Sequence, residues 1–245
     1  MPRKSALSVV SPSTGLTQDG LSRTSVVYER LRQDLLHGDL KAGEKLAVTA
    51  LGERYTFGAS PVREALSRLS AEGLVERIDQ RGFRAAALDF AELPALTQTR
   101  CEIESLALSQ SIALRNSAWE EKLVLIVHRL SKTPRSLSQT SYVRNPAWEE
   151  LHAEYHAALI ANCPSRWLRQ FCNTLAEEAF RFRQVAASSN YARRDEHAEH
   201  VKLFQACIDG DAAQATALLQ SHYQRTAQLT SQAVSEPAAP PLNPG

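Results

Sequence analysis

Residues 43–84 read GEKLAVTALGERYTFGASPVREALSRLSAEGLVERIDQRGFR. Within this stretch, Ser60 to Leu69 spells a helix. Ser60 is a favoured N-cap, and Pro61 at the first helical position gives up an N–H that would lack a partner anyway. Val62, Ala65, Leu66 and Leu69 fall at i, i+3, i+4 and i+7, which makes one apolar face. Arg63, Ser67 and Arg68 lie away from that face. Glu72-Gly73 ends the helix, with Gly73 as a left-handed residue just past it. Leu74 to Ile78 reads as a short strand, Asp79-Gln80-Arg81-Gly82 as a turn, and Phe83 to Leu88 as the returning strand. Upstream, Val48 to Tyr55 forms a short helix and Phe57-Gly58 a tight turn. Helix, turn, helix and β-hairpin in this order make a winged helix-turn-helix, a unit that reads double-stranded DNA.

The residue types suit that task. A recognition helix needs an apolar back to dock and a polar front to enter the major groove. Arg63, in the first turn, is placed to reach a base edge or a phosphate; a bidentate arginine–guanine pair discriminates by about 1–3 kcal/mol. Ser60, Ser67 and Arg68 share its exposed side. Arg81, Gly82 and Arg84 sit on the wing, where the arginines suit phosphate or minor-groove contact. Any one exposed arginine could equally be a solvated surface charge. It is the ordered pattern that carries the reading.

The bulk properties neither add to this nor oppose it. The chain has 245 residues, 43% hydrophobic, with a net charge of +1. Residues 1–88 carry 13 Lys+Arg against 10 Asp+Glu, so the DNA argument rests on local placement. Cys101, Cys163, Cys172 and Cys207 show no C-x-x-C spacing and read as buried free thiols of a reducing compartment. No apolar run approaches the roughly 18 residues of a membrane span. The short, serine-broken stretch after Pro2-Arg3-Lys4 does not make a signal peptide. A cytoplasmic location is expected.

Working outward, residues 1–23 are Ser-, Thr- and Gly-rich without periodicity and are expected to be disordered. The DNA-reading domain spans 24–88 and opens with a helix from Thr24 to His37 whose Val27, Leu31 and Leu35 point inward. A linker covers 89–93. From 94 to 234 the pattern is helical only, with helices near 91–115, 117–131, 146–162, 165–187, 193–209 and 211–233. Asn145-Pro146, Cys163-Pro164, Ser188-Ser189-Asn190 and Asp209-Gly210-Asp211 punctuate them. A Pro-rich tail, 235–245, is expected to be disordered. The fold class is therefore mostly α: a winged helix-turn-helix followed by an all-α bundle of six to seven helices.

Polar residues on apolar helix stripes are the informative exceptions. In helix 146–162, Trp148, Leu151, Tyr155 and Leu159 form a stripe with His152 and His156 on its edge, one turn apart. His200 sits on the stripe of Leu203, Phe204 and Cys207, and His222 on that of Ala215, Leu218 and Leu219. Leu96, Ile103 and Ala107 flank Arg100. Imidazoles converging from three helices suit Zn²⁺ or Ni²⁺. A single such histidine is more often a satisfied core residue, so again the joint pattern matters. His37, His128 and His197 read as surface residues.

These residues also carry a resemblance. Gly43-x-x-Leu46, Leu51, Pro61-Val62-Arg63-Glu64-Ala65-Leu66, Leu69, Glu72-Gly73-Leu74-Val75 and Arg81-Gly82 resemble the DNA-binding domain of the GntR superfamily of bacterial transcription regulators. One departure is that Gly58-Ala59-Ser60 stands where the family usually has Ser-Arg-Thr or Ser-Arg-Ser. The second half resembles the FadR-like FCD branch, through Arg100-x-x-Ile103-Glu104, His152-x-x-Tyr155-His156, Glu199-His200, Gly210-Asp211-Ala212 and His222. That resemblance implies an all-helical effector domain that binds a small organic acid, often over a metal. The implied metal ligands are His152, His156, His200 and His222, with His152 replacing the usual carboxylate or Asn. In such a pocket Arg100 can grip an effector carboxylate, and Arg183, flanking the stripe of Leu168, Phe171, Leu175 and Phe182 in helix 165–187, is a second candidate; two cationic groups across a cavity point to a dicarboxylate. The run Trp148, His152, His156 with Phe171-Cys172 is similar to branch members answering to glutarate-type acids. Trp148, Tyr155 and Trp167 could wall the site.

The reading is a ligand-responsive transcription regulator, not an enzyme, that represses a metabolic operon. One chain offers one recognition helix, so a homodimer on a two-fold symmetric operator is expected. An alternative is a metal-dependent helical enzyme with an accessory DNA-binding unit, although no carboxylate stands out as a general base. A third is a structural DNA-binding protein, which predicts an apolar, fully packed core around Arg100 and His200.

Overall fold

The computed structural model describes residues 22–79, 81–190 and 194–235, without the side chains of 188–190. The chain divides into two compact units, one ending at Ala87 and the other beginning at Leu88. Of the two tails expected to be disordered, Ser22 caps and Arg23 opens the first helix, and Ser235 closes the last. The rest of both tails lies outside the described residues.

In the first unit, α1 (Arg23–His37) packs on α3 (Ala59–Ala71), and α3 on α2 (Val48–Tyr55). The Ser22 hydroxyl accepts the Ser25 N–H at 3.0 Å to start α1. Val27 and Leu31 of α1 and Val62, Ala65, Leu66 and Leu69 of α3 are completely buried. That is the predicted apolar face, and each of the larger side chains contributes about 1.5–3 kcal/mol.

The turn between α2 and α3 is tighter than the Phe57-Gly58 reading suggests. Thr56 adopts a left-handed φ of 61°, and the Phe57 N–H donates to the Gly52 carbonyl at 2.9 Å. A Cβ on Gly52 would lie 2.8 Å from the Phe57 carbonyl oxygen, so the approach requires glycine there.

The start of α3 corrects the sequence reading. Its N-cap is Gly58, with no side-chain cap, so Ser60 lies inside the helix and Pro61 is its third residue. The first N–H groups of a helix all lack an internal acceptor, so proline fits anywhere in that turn and does not mark its first position. The C-terminus is as read. Gly73 has a φ of 80°, its N–H donates to Ser70, and the Leu74 N–H donates to Leu69 at 3.0 Å. Those paired bonds close the helix with Leu74 folded back onto Leu69.

The hairpin consists of β2 (Val75–Ile78) and β3 (Gly82–Ala85), shorter than the return to Leu88 that alternation suggested. A two-residue strand, β1 (Lys45–Leu46), pairs with the other edge of β3 and makes a three-stranded antiparallel sheet of order β1-β3-β2. Two residues are too few to show alternation, so β1 is invisible in the sequence.

The second unit holds α4 (Leu93–Ala113), α5 (Ser117–Lys132), α6 (Pro146–Leu159), α7 (Arg166–Asn190), α8 (Glu196–Asp209) and α9 (Ala212–Ser235). The expected linker, 89–93, is not extended: Phe90–Glu92 is a 3-10 turn and Leu93 begins α4. Leu108, Ile112, Leu123, Ile126, Leu159, Leu203 and Leu219 fill the bundle core. Helix α7 runs through Ser188-Ser189-Asn190, which reads as a break in the sequence; weak helix formers at the end of a long packed helix cost only tenths of a kcal/mol, about 0.5 each. Trp167 and Phe171 are 61% and 63% exposed, so Trp167 does not wall the histidines and Phe171 does not belong to the inward stripe of α7. No helix among the described residues is long and apolar enough to cross a membrane.

Candidate metal centre and DNA-reading surface

Helices α6, α8 and α9 bring four histidines together. His152 and His156 leave one face of α6 a turn apart, His200 leaves α8, and His222 leaves α9. One ring nitrogen from each lies within 4.8 Å of the others. Ring centroids are 4.7 Å apart for His152 and His156, 5.0 Å for His152 and His200, and 4.8 Å for His200 and His222. His200 and His222 are 1% and 5% exposed. Trp148 stacks on His152 at 4.7 Å with the ring planes 18° apart. The Tyr155 hydroxyl donates to the His200 carbonyl at 2.9 Å, pinning α6 to α8 at the centre of the cluster.

Electrostatics favours neutral imidazoles here. Burial lowers the pKa of His152, His156 and His200, and neighbouring histidines lower it further. Burial also lowers that of His222, against the hydrogen bond it makes to Glu199. Neutral imidazole is the form that binds a metal. Outer contacts hold the Nδ1 atoms of two rings. His222 Nδ1 lies 3.0 Å from a Glu199 oxygen and 2.9 Å from an Arg194 nitrogen, and His156 Nδ1 lies 3.2 Å from the Tyr223 hydroxyl. The Nε2 atoms of His156 and His200 are buried without a hydrogen-bond partner. Buried polar atoms of that kind are costly unless something occupies the space they face. This donor set fits a divalent ion of borderline softness, which these four imidazoles would hold.

A charged shell surrounds the histidines. Burial alone raises Glu199, but hydrogen bonds from Arg194 and His222 override it and hold its carboxyl well below the usual range. Arg194 also reaches the His222 carbonyl at 3.0 Å. Arg183 and Glu149, both buried, form a close ion pair. Arg100 donates to Glu104 at 2.6 Å and lies over the Tyr223 ring at 3.9 Å. The arginines expected to take an effector carboxylate thus each hold a carboxylate of this chain. A cavity with room for about one water is lined by Arg135, Arg183, Arg194, Glu196, Thr226 and Thr230. The sequence reading missed Arg135, Arg194 and the role of Tyr223, because arginines in loops and a tyrosine beside a histidine carry no periodic signal. Of the histidines set aside, His128 and His197 are exposed and His37 is half-buried.

In the first unit the expected DNA-contacting residues divide in two. Ser60, Arg63, Arg81 and Gly82 are exposed, with Gly82 at a φ of 96° in the hairpin tip. Three others have contacts within the unit: the Ser67 hydroxyl donates to the Arg63 carbonyl at 2.9 Å, Arg68 stacks over Tyr28 at 4.1 Å, and Arg84 donates to the Gly43 carbonyl at 2.7 Å. Lys45 sits opposite Arg84 on the exposed sheet face, and Arg77 is exposed on β2; neither stood out in the sequence.

Two family patterns match this architecture: bacterial regulatory proteins of the gntR family over residues 23–84, and the FCD domain over residues 95–225. The chain belongs to the GntR family. It is a DNA-binding transcription regulator with an FCD effector-binding domain, not an enzyme. It is 34% identical over 211 residues, 86% of each chain, to the uncharacterized HTH-type transcriptional regulator BphR of Paraburkholderia xenovorans. It is 31% identical to the HTH-type transcriptional repressor GlaR of Escherichia coli, over 85% of this chain and 96% of that one. Among solved structures, E. coli McbR/YncC shares the fold with a TM-score of 0.70 at 17% identity, covering 88% of this chain and all of that one. A putative GntR regulator from Rhodococcus sp. RHA1 gives 0.67 at 17% identity, covering 87% and 98%.

Proposed function

We propose that this GntR regulator is a cytoplasmic repressor that binds a two-fold symmetric operator as a homodimer and is released by a small carboxylate, favouring a dicarboxylate. The observation that carries the reading is the convergence of His152, His156, His200 and His222 in a charged, buried setting. These four would hold a zinc or nickel ion. When bound, the ion supplies Lewis-acid attraction for a carboxylate oxygen. The interior here is not the apolar packing expected of a purely structural DNA-binding protein, since Glu104, Glu149, Arg183, His200 and His222 are all buried. Arg100 and Arg183 each already grip a carboxylate, the same chemistry an effector would use when it replaces Glu104 or Glu149. The resemblance of this chain to a named repressor supports the direction of control. On the DNA, Arg63 reads a base edge, with Ser60, Ser67 and Arg68 alongside it on the helix and Arg81, Gly82 and Arg84 at the wing.

An effector shifts DNA affinity only by preferring one of two states of the protein. Selection of operator sites from a random duplex library, followed by titration of the bound site with acetate, succinate and glutarate, tests the proposal. The expected result is an inverted repeat with half-sites about one helical turn apart, and at least tenfold weaker DNA binding with a dicarboxylate. Asymmetric selected sites would contradict the dimer reading. DNA affinity indifferent to every carboxylate would contradict the effector class.

A further inference from the structure

Arg100, Glu104 and Tyr223 form one chain of contacts that ends on a histidine of the cluster. The Arg100 Nε donates to Glu104 Oε1 at 2.6 Å. The Tyr223 hydroxyl donates to Glu104 Oε2 at 2.5 Å. The same hydroxyl oxygen lies 3.2 Å from His156 Nδ1. Glu104 is 3% exposed and Tyr223 5% exposed, so water does not compete for these contacts. The Arg100 guanidinium also lies over the Tyr223 ring, which holds the ring from its face while Glu104 holds its hydroxyl.

A tyrosine hydroxyl has one proton. Here Glu104, a carboxylate already paired with Arg100, takes that proton. Toward His156 the oxygen can then only accept, so His156 Nδ1 must carry hydrogen. In a neutral imidazole the other nitrogen is then a bare lone pair. That nitrogen is Nε2, which is buried and has no hydrogen-bond partner, on a ring packed against the other three.

We infer that Tyr223 is a positioning residue for the metal centre: held by Glu104 and Arg100, it fixes His156 in the tautomer and orientation that present Nε2 to the cluster. This rests on the four-histidine reading of the site. His222 differs: its Nδ1 lies 3.0 Å from a Glu199 oxygen, an acceptor, and 2.9 Å from an Arg194 nitrogen, a donor, so His156 is the ring with a single partner behind it. Metal-binding histidines are generally oriented through their second nitrogen, and loss of that partner weakens metal affinity about 10- to 100-fold. Arg100 then acts on the centre at one remove. A carboxylate that drew Arg100 from Glu104 would loosen the hold on His156 without touching it.

The test uses the full-length, metal-free protein with ¹⁵N-labelled histidine, and long-range ¹H–¹⁵N correlation to read the His156 tautomer. Zinc affinity is measured in parallel by chelator competition. The wild type is expected to show His156 protonated on Nδ1. Tyr223→Phe keeps the ring beneath Arg100 and deletes only the hydroxyl. It is expected to lose that tautomer preference and to bind zinc about 10- to 100-fold more weakly, with an unchanged far-UV spectrum. A wild-type His156 protonated on Nε2 overturns the inference without any variant. Unchanged tautomer and unchanged zinc affinity in Tyr223→Phe overturn it as well. A wild type that binds no zinc, nickel or cobalt refutes the metal reading alone, and the tautomer still decides the role of Tyr223.

Discussion

The winged unit and the helical unit store their function differently. In the first, the proposed DNA-contacting residues are continuous in sequence: Ser60 to Arg68 are on one helix, and Arg81 to Arg84 on one hairpin. In the second, four ligand candidates come from three helices spread over 71 positions, and each depends on partners elsewhere in the chain. Local structure can be read from a short window because periodicity, caps and turn residues act within a few residues. A convergent site has no such window. It shows up only as polar residues misplaced on apolar stripes, and its outer contacts not at all.

Breaking the core of the winged unit is expected to have the largest effect. Leu66 is fully buried, so Leu66→Ala destabilises that unit by about 2–5 kcal/mol. Thermal unfolding followed with operator binding should show DNA affinity failing at lower temperature, while histidine-site metal content stays at the wild-type level. Metal lost in parallel would mean that the two units do not behave as separate stores of function.

A milder change on the same helix removes chemistry without removing structure. Arg63 is exposed, so Arg63→Ala leaves the unit folded and should abolish operator preference, at a cost of about 1–3 kcal/mol in discrimination. Specific and random duplexes compared by fluorescence anisotropy report this. An unchanged ratio between them removes Arg63 from base reading. Smaller again is relief of the strained turn. Thr56 is β-branched with a φ of 61°, and Asn tolerates that region far better. Thr56→Asn should raise the stability of the winged unit by about 0.5–1 kcal/mol, seen as a higher unfolding midpoint.

The smallest signal expected is thiol reactivity, which reports on the helical unit alone, since every cysteine lies there and all are buried. Burial pushes the Cys172 and Cys207 thiols up to about 12 and raises Cys101 too. Cys172 and Cys207 stay protonated as pH rises from 7 to 9, and the thiolate is the reactive form. An alkylating reagent should therefore label the native protein negligibly across that range and label all four cysteines once it is unfolded. Rapid native labelling would show that the bundle opens.

The differences between sequence reading and structure follow the same division. The end of α3 at Gly73 and the span of α2 were legible because a left-handed glycine and a short amphipathic period are local signals. The start of α3 was displaced because Pro61 and Ser60 suit several positions of a first turn, and strand β1 was missed because two residues carry no pattern. In the helical unit His152, His156, His200 and His222 were legible as exceptions to their stripes. Trp167 and Phe171 were drawn in wrongly, since helical spacing alone does not distinguish an inward aromatic from an exposed one. The Arg100–Glu104 pair has i,i+4 spacing and is local, but the partners Arg183–Glu149 and Glu104–Tyr223 meet across 34 and 119 positions and leave no trace in a short window.

The most direct test of the four-histidine centre is metal content. Untagged wild-type protein and His200→Ala, both purified without chelator, are compared by elemental mass spectrometry after equilibration with zinc or nickel. The account predicts about one tightly held ion per chain in the wild type and close to none in His200→Ala, with both proteins folded. An empty wild type, or full occupancy in the variant, would contradict it.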